Sequence, residues 1–338
     1  MQNRYSRQQL FHPIGQAGQQ SIQQKHVLII GVGALGSSSA EALVRAGIGK
    51  LTLVDRDYVE WSNLQRQQLY TEQDAQQATP KVIAAKARLH SINSEVEIHT
   101  VIMDACTESL LPLLEAADVM IDATDNFDVR FLMNDLAQKS RTPWVYGSCV
   151  GSYGATYTIV PGRTPCLHCL LNVMPHTGMT CDTVGIISPA VQIVAAYQVA
   201  EVLKLLVNDE QALRTTYLTF DVWHNQHYEI KVEKLRQANC PSCGNEPTYP
   251  YLSYDNQTKL QILCGRDAVQ IRPPKPVHYT FEQLTHQLRT YGDVQVNPYL
   301  LSCQADDYRI VIFQDGRVVI HGIQDIEQAK SIYYRLLG

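Results

Sequence analysis

The sequence predicts an α/β protein: a doubly wound, mostly parallel sheet with an antiparallel extension, followed by a small C-terminal α+β domain. Three observations predict it. From His26 to Val150, β-branched apolar runs alternate with segments whose apolar positions recur at helical spacing, which is the pattern of parallel strands joined by helices. A glycine-punctuated turn, GVGALG, joins the first strand to the first helix. Beyond residue 248 the alternation gives way to short strands, an Asp-Gly turn and two helical segments in about ninety residues, a size that folds as a unit.

Taken in order, HVLIIGVGALG is an apolar run ending in glycines, a buried strand and its turn. SSSAEALVRAGIG follows as a helix stopped by glycine. KLTLVDRD is the second strand. TPKVIAAKARLHSIN opens with Pro80 near a helix start, where a missing N–H costs nothing. EVEIHTVIM is a strand, TESLLPLLEAA a helix, DVMIDATD a strand, VRFLMNDLAQKS a helix and PWVYGSCV a strand. The pattern then changes. GATYTIVPG reads as one arm of an antiparallel hairpin, and TGMTCDTVGIISP, rich in glycine and threonine, as a loop. AVQIVAAYQVAEVLKLLV is a long apolar helix expected to lie buried, and TTYLTFDVWHNQHYEIKVEK a pair of strands. In the last part, strands are expected at KLQILCG, AVQI, YLLSCQ and on both sides of the Asp-Gly turn in YRIVIFQDGRVVIHG. Helices are expected at TFEQLTHQLRTYG and DIEQAKSIYYRLLG, and a linker at RPPKPV. The expected domains are residues 1–247 and 248–338.

Composition is that of an ordinary globular chain: 338 residues, 45% apolar, 18% charged, net charge −5. With no dense basic run, nucleic-acid binding is not expected. The start, MQNRYSRQQLF, lacks the apolar core of a signal peptide, and no apolar run approaches a membrane span. A cytoplasmic location without a membrane partner is therefore expected. Nine cysteines, an odd total, argue against a disulfide framework.

Gly31, Gly33 and Gly36 carry the first chemistry. The first glycine permits a tight turn, the second lets backbone approach a phosphate, and the third lets helix pack closely on strand. The helix that follows offers free N–H groups to an anion. This is a Rossmann-like nucleotide signature in its required context between strand and helix. Asp55, at the end of the second strand, is spaced to hold a ribose hydroxyl, or else is a simple strand-end cap. Asp57 points to the same side if the chain stays extended, or is an ordinary loop aspartate.

A dehydrogenase needs no cation here, yet the loop SNLQRQ follows with Arg66, and Lys81 opens the next helix. Asp125, in DATDN, ends a later strand at the edge where such sheets bind ligands and can hold magnesium between phosphates. Each could be a surface charge taken alone. At successive strand ends they suit attack on a phosphate, whose transition state gathers negative charge that arginine and lysine stabilise.

With RYSRQ, GVGALGS, LVDRDYVEWSNLQRQ, PKV, DATDN, PCLHC, TCDTVGIISP and CPSCG in this order, the chain from about Arg4 to Gly244 resembles the MoeB/ThiF family, bacterial relatives of the ubiquitin-activating enzymes. The resemblance implies an adenylyltransferase. It would use ATP and magnesium to adenylate the C-terminal glycine carboxylate of a small ubiquitin-like sulfur carrier in thiamine or molybdopterin biosynthesis. It implies Gly33 under the phosphates and Asp55 on the ribose. Asp57, Asn63, Arg66 and Lys81 would surround the triphosphate and the reacting carboxylate, and Asp125 would support magnesium. It further implies a two-fold homodimer in which Arg7 completes the partner's site. A carboxylate is already ionised at neutral pH, so no strong base and no covalent enzyme nucleophile is called for.

The two distant CxxC pairs, Cys166/Cys169 and Cys240/Cys243, have the spacing of a tetrahedral structural zinc, with a redox CxxC as the alternative. Cys181, in MTCDTVG, is unpaired by spacing. It reads either as a thiol that accepts the carrier's acyl group as thioester or acyl disulfide, or as a loop cysteine without chemistry. Cys264, in LCGRD, superficially resembles a rhodanese active-site cysteine, but the order of elements around it is not that of a rhodanese. The tail resembles that of Gram-positive members of the family and reads as a docking or dimer-supporting module. Other readings stay open: a peptide-modifying adenylating enzyme, a tRNA-modifying relative, a NAD-dependent oxidoreductase, and a catalytically inactive binding protein. The oxidoreductase leaves Arg66, Lys81 and the cysteine pairs unexplained.

Overall fold

In the computed structural model, residues 4–170, 184–253, 260–263, 267–272, 279–305, 307–314 and 316–337 are described. The packing of the backbone divides the chain into two compact units, with the change-over at residues 256 and 257.

The first unit opens with two short helices, α1 (Ser6–Leu10) and α2 (Gly15–Ile22). Then come β1 (His26–Ile30), α3 (Ala34–Ala46), β2 (Lys50–Asp55), α4 (Glu72–Gln76), α5 (Lys81–Ile92), β3 (Glu97–Ile102), α6 (Thr107–Glu115), β4 (Val119–Asp122) and α7 (Phe127–Ser140). The sheet continues with β5 (Trp144–Val150) and β6 (Tyr153–Ile159), followed by a one-turn α8 (Leu167–Leu170), the long α9 (Ser188–Leu206), β7 (Thr216–Asp221) and β8 (Gln226–Lys231).

These strands make one eight-stranded sheet in the order β3-β2-β1-β4-β5-β6-β7-β8. Pairing is parallel from β3 to β5 and antiparallel from β5 to β8. The predicted mostly parallel sheet with an antiparallel extension is therefore present. Every residue of β1 is buried, as a central strand covered on both faces requires. One core layer packs Ile29, Leu43, Val44, Leu53, Val82 and Leu89 together; the other packs Leu28, Ile30, Leu114, Met120, Met133 and Trp144.

Helix α9 differs from one expectation. At 19 residues it is long and apolar enough to cross a membrane by length and composition, although the sequence was read as having no such run. Its apolar residues instead fill the core: Val199, Val202 and Leu206 join the first layer, and Val191, Val194 and Ala195 pack with Leu35 and Phe220. Glu201 is buried there, accepting from Thr158 Oγ1 at 2.7 Å and Arg214 N at 3.0 Å.

The second unit holds β9 (Leu260–Leu263), β10 (Ala268–Ile271), α10 (Phe281–Leu288), β11 (Asp293–Val296), β12 (Leu300–Ala305), β13 (Tyr308–Phe313), β14 (Val318–His321) and α11 (Ile326–Leu337). Its six strands form an antiparallel sheet in the order β11-β12-β13-β14-β10-β9. Leu284 and Leu288 of α10 and Ala329, Ile332 and Leu336 of α11 pack on Leu301, Cys303, Ile310, Ile312 and Ile320, as an α+β unit demands.

Candidate active site

The chain runs from β1 to β2 on one side of the sheet and later returns to β4 on the other. A switch point therefore lies at the carboxyl ends of β1 and β4, where sheets of this kind bind ligands. The glycine turn sits there. Gly31 has φ +88°, and a Cβ on it would strike Ala123 O at 2.6 Å. A Cβ on Gly36 would strike Gly31 O at 2.0 Å, so this glycine lets α3 lie against the turn. Gly33 caps α3 and is different: its surroundings are open.

Asp55 closes the turn from β2. Its Oδ2 accepts from Val32 N at 2.6 Å and its Oδ1 from Asp57 N at 2.7 Å. Burial pushes the Asp55 carboxyl up, against the pull of Lys81. Tyr70, buried beside it, donates to Val32 O, so the Val32 peptide is held at both its N–H and its C=O. Strand β2 ends at Asp55, and the chain goes on to Tyr58, which bridges Pro80. Asp57 meets Lys81, Oδ2 to Nζ, at 3.4 Å, and its carbonyl accepts Lys81 N at 2.9 Å. Lys81 is buried at the first turn of α5, where Pro80 starts the helix.

The SNLQRQ loop is a helical turn. Asn63 is buried, and its Oδ1 accepts from Glu60 N at 3.1 Å while its carbonyl accepts from Arg66 N and Gln67 N. The Arg66 guanidinium folds back to Ser62 O at 2.9 Å and has no carboxylate partner among the described residues. Asp125 is exposed beyond β4. Behind it Asp122 is fully buried and receives Arg130 Nε at 2.9 Å; Arg130 NH2 also reaches Thr124 O at 2.6 Å and Gly147 O at 3.1 Å, which braces the DATDN turn.

Sequence reasoning passed over three contributors here. Arg56 bonds to Asp104 at 3.2 Å; burial alone would lower its guanidinium, but Asp104, Asp57, Asp125 and Asp55 outweigh that and hold it above its ordinary value. Tyr70 and Gln67 are the others. Their signal is faint: a tyrosine and an amide in a loop have no spacing that marks them.

Arg7 is not brought to this site. It lies exposed on α1, whose neighbours fasten it to the opposite edge of the sheet. Gln8 Nε2 donates to Ala46 O at 3.0 Å at the end of α3, and Tyr5 OH accepts from Asn93 Nδ2 at 2.9 Å just past α5. Both helices end there before feeding the amino ends of β2 and β3.

Cys166, Cys169, Cys240 and Cys243 form a buried cluster whose sulfurs all lie within 4.8 Å of one another. Neighbouring pairs are 3.9, 3.6 and 3.5 Å apart. Four sulfurs at zinc bonding distance on a tetrahedron stand about 3.8 Å apart, whereas a disulfide needs about 2.0 Å. The donors thus fit a metal such as zinc. Hydrogen bonds from Cys166 and Cys243 favour the Cys169 thiolate and hold it below its ordinary value, while the Cys166 thiol is held above its own. A metal ion would take all four sulfurs as thiolates. Asn134 Oδ1 of α7 accepts from Leu167 N at 2.9 Å and so ties this knuckle to α7. Cys181 and Cys264 lie outside the described residues.

A glycine turn at the switch point, a clamped strand-end aspartate and buried cations around it define a nucleotide-binding α/β protein. Residues 5–242 match the ThiF family model, and the chain belongs to the ThiF family. It is 52% identical over 339 residues, covering all of both chains, to the sulfur carrier protein ThiS adenylyltransferase of Bacillus subtilis, so the likeness runs through the second unit as well. It is 32% identical to the sulfur carrier protein adenylyltransferase of Thermus thermophilus, over 78% of this chain and 96% of that one. Among solved structures, E. coli MccB with ATP superposes with a TM-score of 0.62 at 23% identity, covering 72% of this chain and 75% of that one, a likeness of fold.

Proposed function

We propose that this protein is an adenylyltransferase that uses ATP to activate the C-terminal carboxylate of a ubiquitin-like sulfur carrier of the ThiS type. The observation that carries the reading is the full-length identity of 52% to a ThiS adenylyltransferase, in a chain whose Asp55, Asp57 and Lys81 gather at the carboxyl edge of a parallel sheet. The carrier's carboxylate oxygen attacks the α-phosphorus, the bond to the β-phosphate oxygen breaks, and pyrophosphate leaves with the electron pair. Gly31, Gly33 and Gly36 shape the turn on which the phosphates rest, and Asp55 holds the ribose. Asn63 orders the loop that carries Arg66; Arg66 and Lys81 stabilise the charge growing on the phosphate oxygens. Asp57 holds Lys81 in place. Asp125, a hard oxygen donor, would hold magnesium, which would supply further charge neutralisation at the phosphates.

Zinc is assigned to the four-cysteine cluster as a structural ion, and Cys181 is read either as an acyl acceptor from the carrier or as a loop cysteine without chemistry, the second being what a Cys181→Ser variant of unchanged activity would establish. The protein is placed in the cytosol, where thiols stay reduced. Residues 1–247 are read as the adenylation domain and 248–338 as a docking or dimer-supporting module. A homodimer is proposed in which Arg7 serves the partner's site. Its support is distance: β1 and β2 separate the edge that anchors α1 from the edge that carries Asp55 by about 17–20 Å, beyond an arginine's reach within one subunit.

The test is exchange of labelled pyrophosphate into ATP, run alone, with a ThiS-type carrier and with a MoaD-type carrier. Exchange that appears with the ThiS-type carrier supports the reading. Exchange with the MoaD-type carrier alone reassigns the pathway, and no exchange with either, in folded metal-loaded protein, ends it.

A further inference from the structure

Arg56 and Asp104, at the carboxyl edge of the sheet, have no part in the reading above. Strands β2 and β3 pair in parallel with Asp55 opposite Ile102, so the residues that follow leave the sheet side by side. Arg56 NH1 donates to Asp104 Oδ1 at 3.2 Å, and Arg56 Nε stands 3.9 Å from Asp57 Oδ1. The other carboxylate oxygen of Asp57, Oδ2, meets Lys81 Nζ at 3.4 Å. One carboxylate thus lies between two cations, and a second, from a different strand end, holds the outer cation.

The four side chains are largely buried: Lys81 is 4% exposed, Asp104 12%, Arg56 16% and Asp57 21%. A buried ion pair gives up hydration that its attraction roughly returns, so an apolar pair would serve stability as well. The charges answer a different need. Asp57 fixes Lys81 through its carboxylate and through its carbonyl, which accepts from Lys81 N at 2.9 Å. A lysine matched to a carboxylate of its own is well placed, but the partner cancels most of its field. Arg56 restores the balance, because Asp57 then divides its charge between two cations. Asp104 in turn keeps Arg56 from taking Asp57 for itself.

We propose that Arg56, anchored by Asp104, is a positioning residue for Lys81, sharing Asp57 with it so that the ammonium is held at the site without being neutralised there. The proposal rests on the reading of Lys81 as a cation for the phosphates and adds the device that keeps its charge available.

The experiment measures pyrophosphate exchange against ATP concentration in the full-length protein with the ThiS-type carrier. The variants are Arg56→Gln, Lys81→Met, the two combined, and Asp104→Asn. Arg56→Gln is expected to lower kcat/KM for ATP about tenfold, and Lys81→Met about a hundredfold. The double variant is expected to fall no more than about twofold below Lys81→Met, because Arg56 acts through the lysine. Asp104→Asn removes a negative charge near an anion site, which by charge alone would favour ATP. Loss of the anchor is instead expected to lower exchange about fivefold. Adenosine, which has no phosphate, is expected to bind Arg56→Gln within about twofold of wild type by isothermal titration. Losses that multiply in the double variant would overturn the proposal, since Arg56 would then act independently of Lys81. Exchange by Asp104→Asn equal to or faster than wild type would do the same, and this arm stands even if Arg56→Gln fails to fold. Adenosine binding weakened along with ATP would make Arg56 a base contact or a purely structural residue. Full exchange by Lys81→Met would remove the reading of Lys81 itself and the proposal with it.

Discussion

At the scale of single residues, DATDN sets two aspartates three positions apart and the fold gives them opposite environments. Asp122 is fully buried on Arg130; Asp125 is exposed beyond the strand end. Asp125→Ala is expected to cut pyrophosphate exchange by about 100-fold or more, while its urea unfolding stays within about 0.5 kcal/mol of wild type. Asp122→Ala leaves a buried guanidinium without its carboxylate and is expected to lose about 3–5 kcal/mol of stability. A stable, fully active Asp125→Ala would remove that residue from the site. The motif alone did not separate the two roles, because Asp122 ends β4 and Asp125 lies just beyond it, and burial is decided by what α7 brings back. The three glycines were legible, since each position obeys a steric rule: positive φ at Gly31, contact at Gly36, open space at Gly33. Arg56 and Gln67 were not. A loop cation or amide acquires its meaning from neighbours distant in sequence.

At the scale of elements, strands and helices from β1 to β8 were readable because burial imposes a period on their residues. Where burial is slight the signal vanishes. Helix α2 buries only Gln19 and Ile22 of its eight residues, and β11 is exposed along most of its length; neither had been assigned. Strand β1 carries a pH dependence of its own. His26 Nδ1 faces Ala116 O at 2.7 Å, which can only accept, so the ring's proton sits there and Nε2 accepts from Thr52 Oγ1 at 2.8 Å. Protonating Nε2 would break that second bond. Burial, against the pull of the Ala116 carbonyl, holds His26 below its ordinary value. With a lowered folded value, its stabilisation is complete above the ordinary histidine value and is lost as pH falls through the folded one. Unfolding free energy is therefore expected to decline from about pH 6.5 downward, and His26→Gln to flatten that slope. An unchanged slope in the variant would assign the acid sensitivity to other groups.

At the scale of the whole molecule, the cysteine cluster joins segments 74 residues apart in the chain, Cys166 to Cys240 and Cys169 to Cys243. Metal analysis is expected to find about one zinc per chain, and chelation to lower the melting temperature, since the free energy of metal binding is part of the free energy of folding. A metal-free protein with unaltered melting would end the structural-zinc assignment. The second unit needs a cut placed with care. Tyr251 stacks on Phe131 at 4.7 Å, its N–H bonds to Asp135, and Thr107 bonds to Leu252 O, so a truncation at Thr248 would damage the first unit. A cut after residue 256 respects the packing change-over. If the tail docks the carrier or supports the dimer, that truncation loses carrier affinity or dimerisation; if both persist, the tail has another role.

The placement of Arg7 leads to a test that separates two arrangements of the same residues. Arg7→Ala and Asp125→Ala should each be inactive as homodimers. When the two variants are mixed and allowed to exchange subunits, an arginine that serves its own site leaves each site of the mixed dimer with one defect, and activity stays absent. An arginine that serves the partner's site concentrates both defects in one site and leaves the other intact. Random exchange makes half of the dimers mixed, each with a single working site, so exchange activity should recover to about a quarter of wild type. Sequence spacing alone could not reveal this, which came only from the family resemblance, because α1 is fastened by Gln8 and Tyr5 to backbone and side chains near Ala46 and Asn93, contacts that no local pattern encodes. Recovery to that level would make the functional unit two chains rather than one. Its absence, with mixed dimers demonstrated by mass, would return Arg7 to the exposed surface and leave the site to Arg66, Lys81 and Asp125.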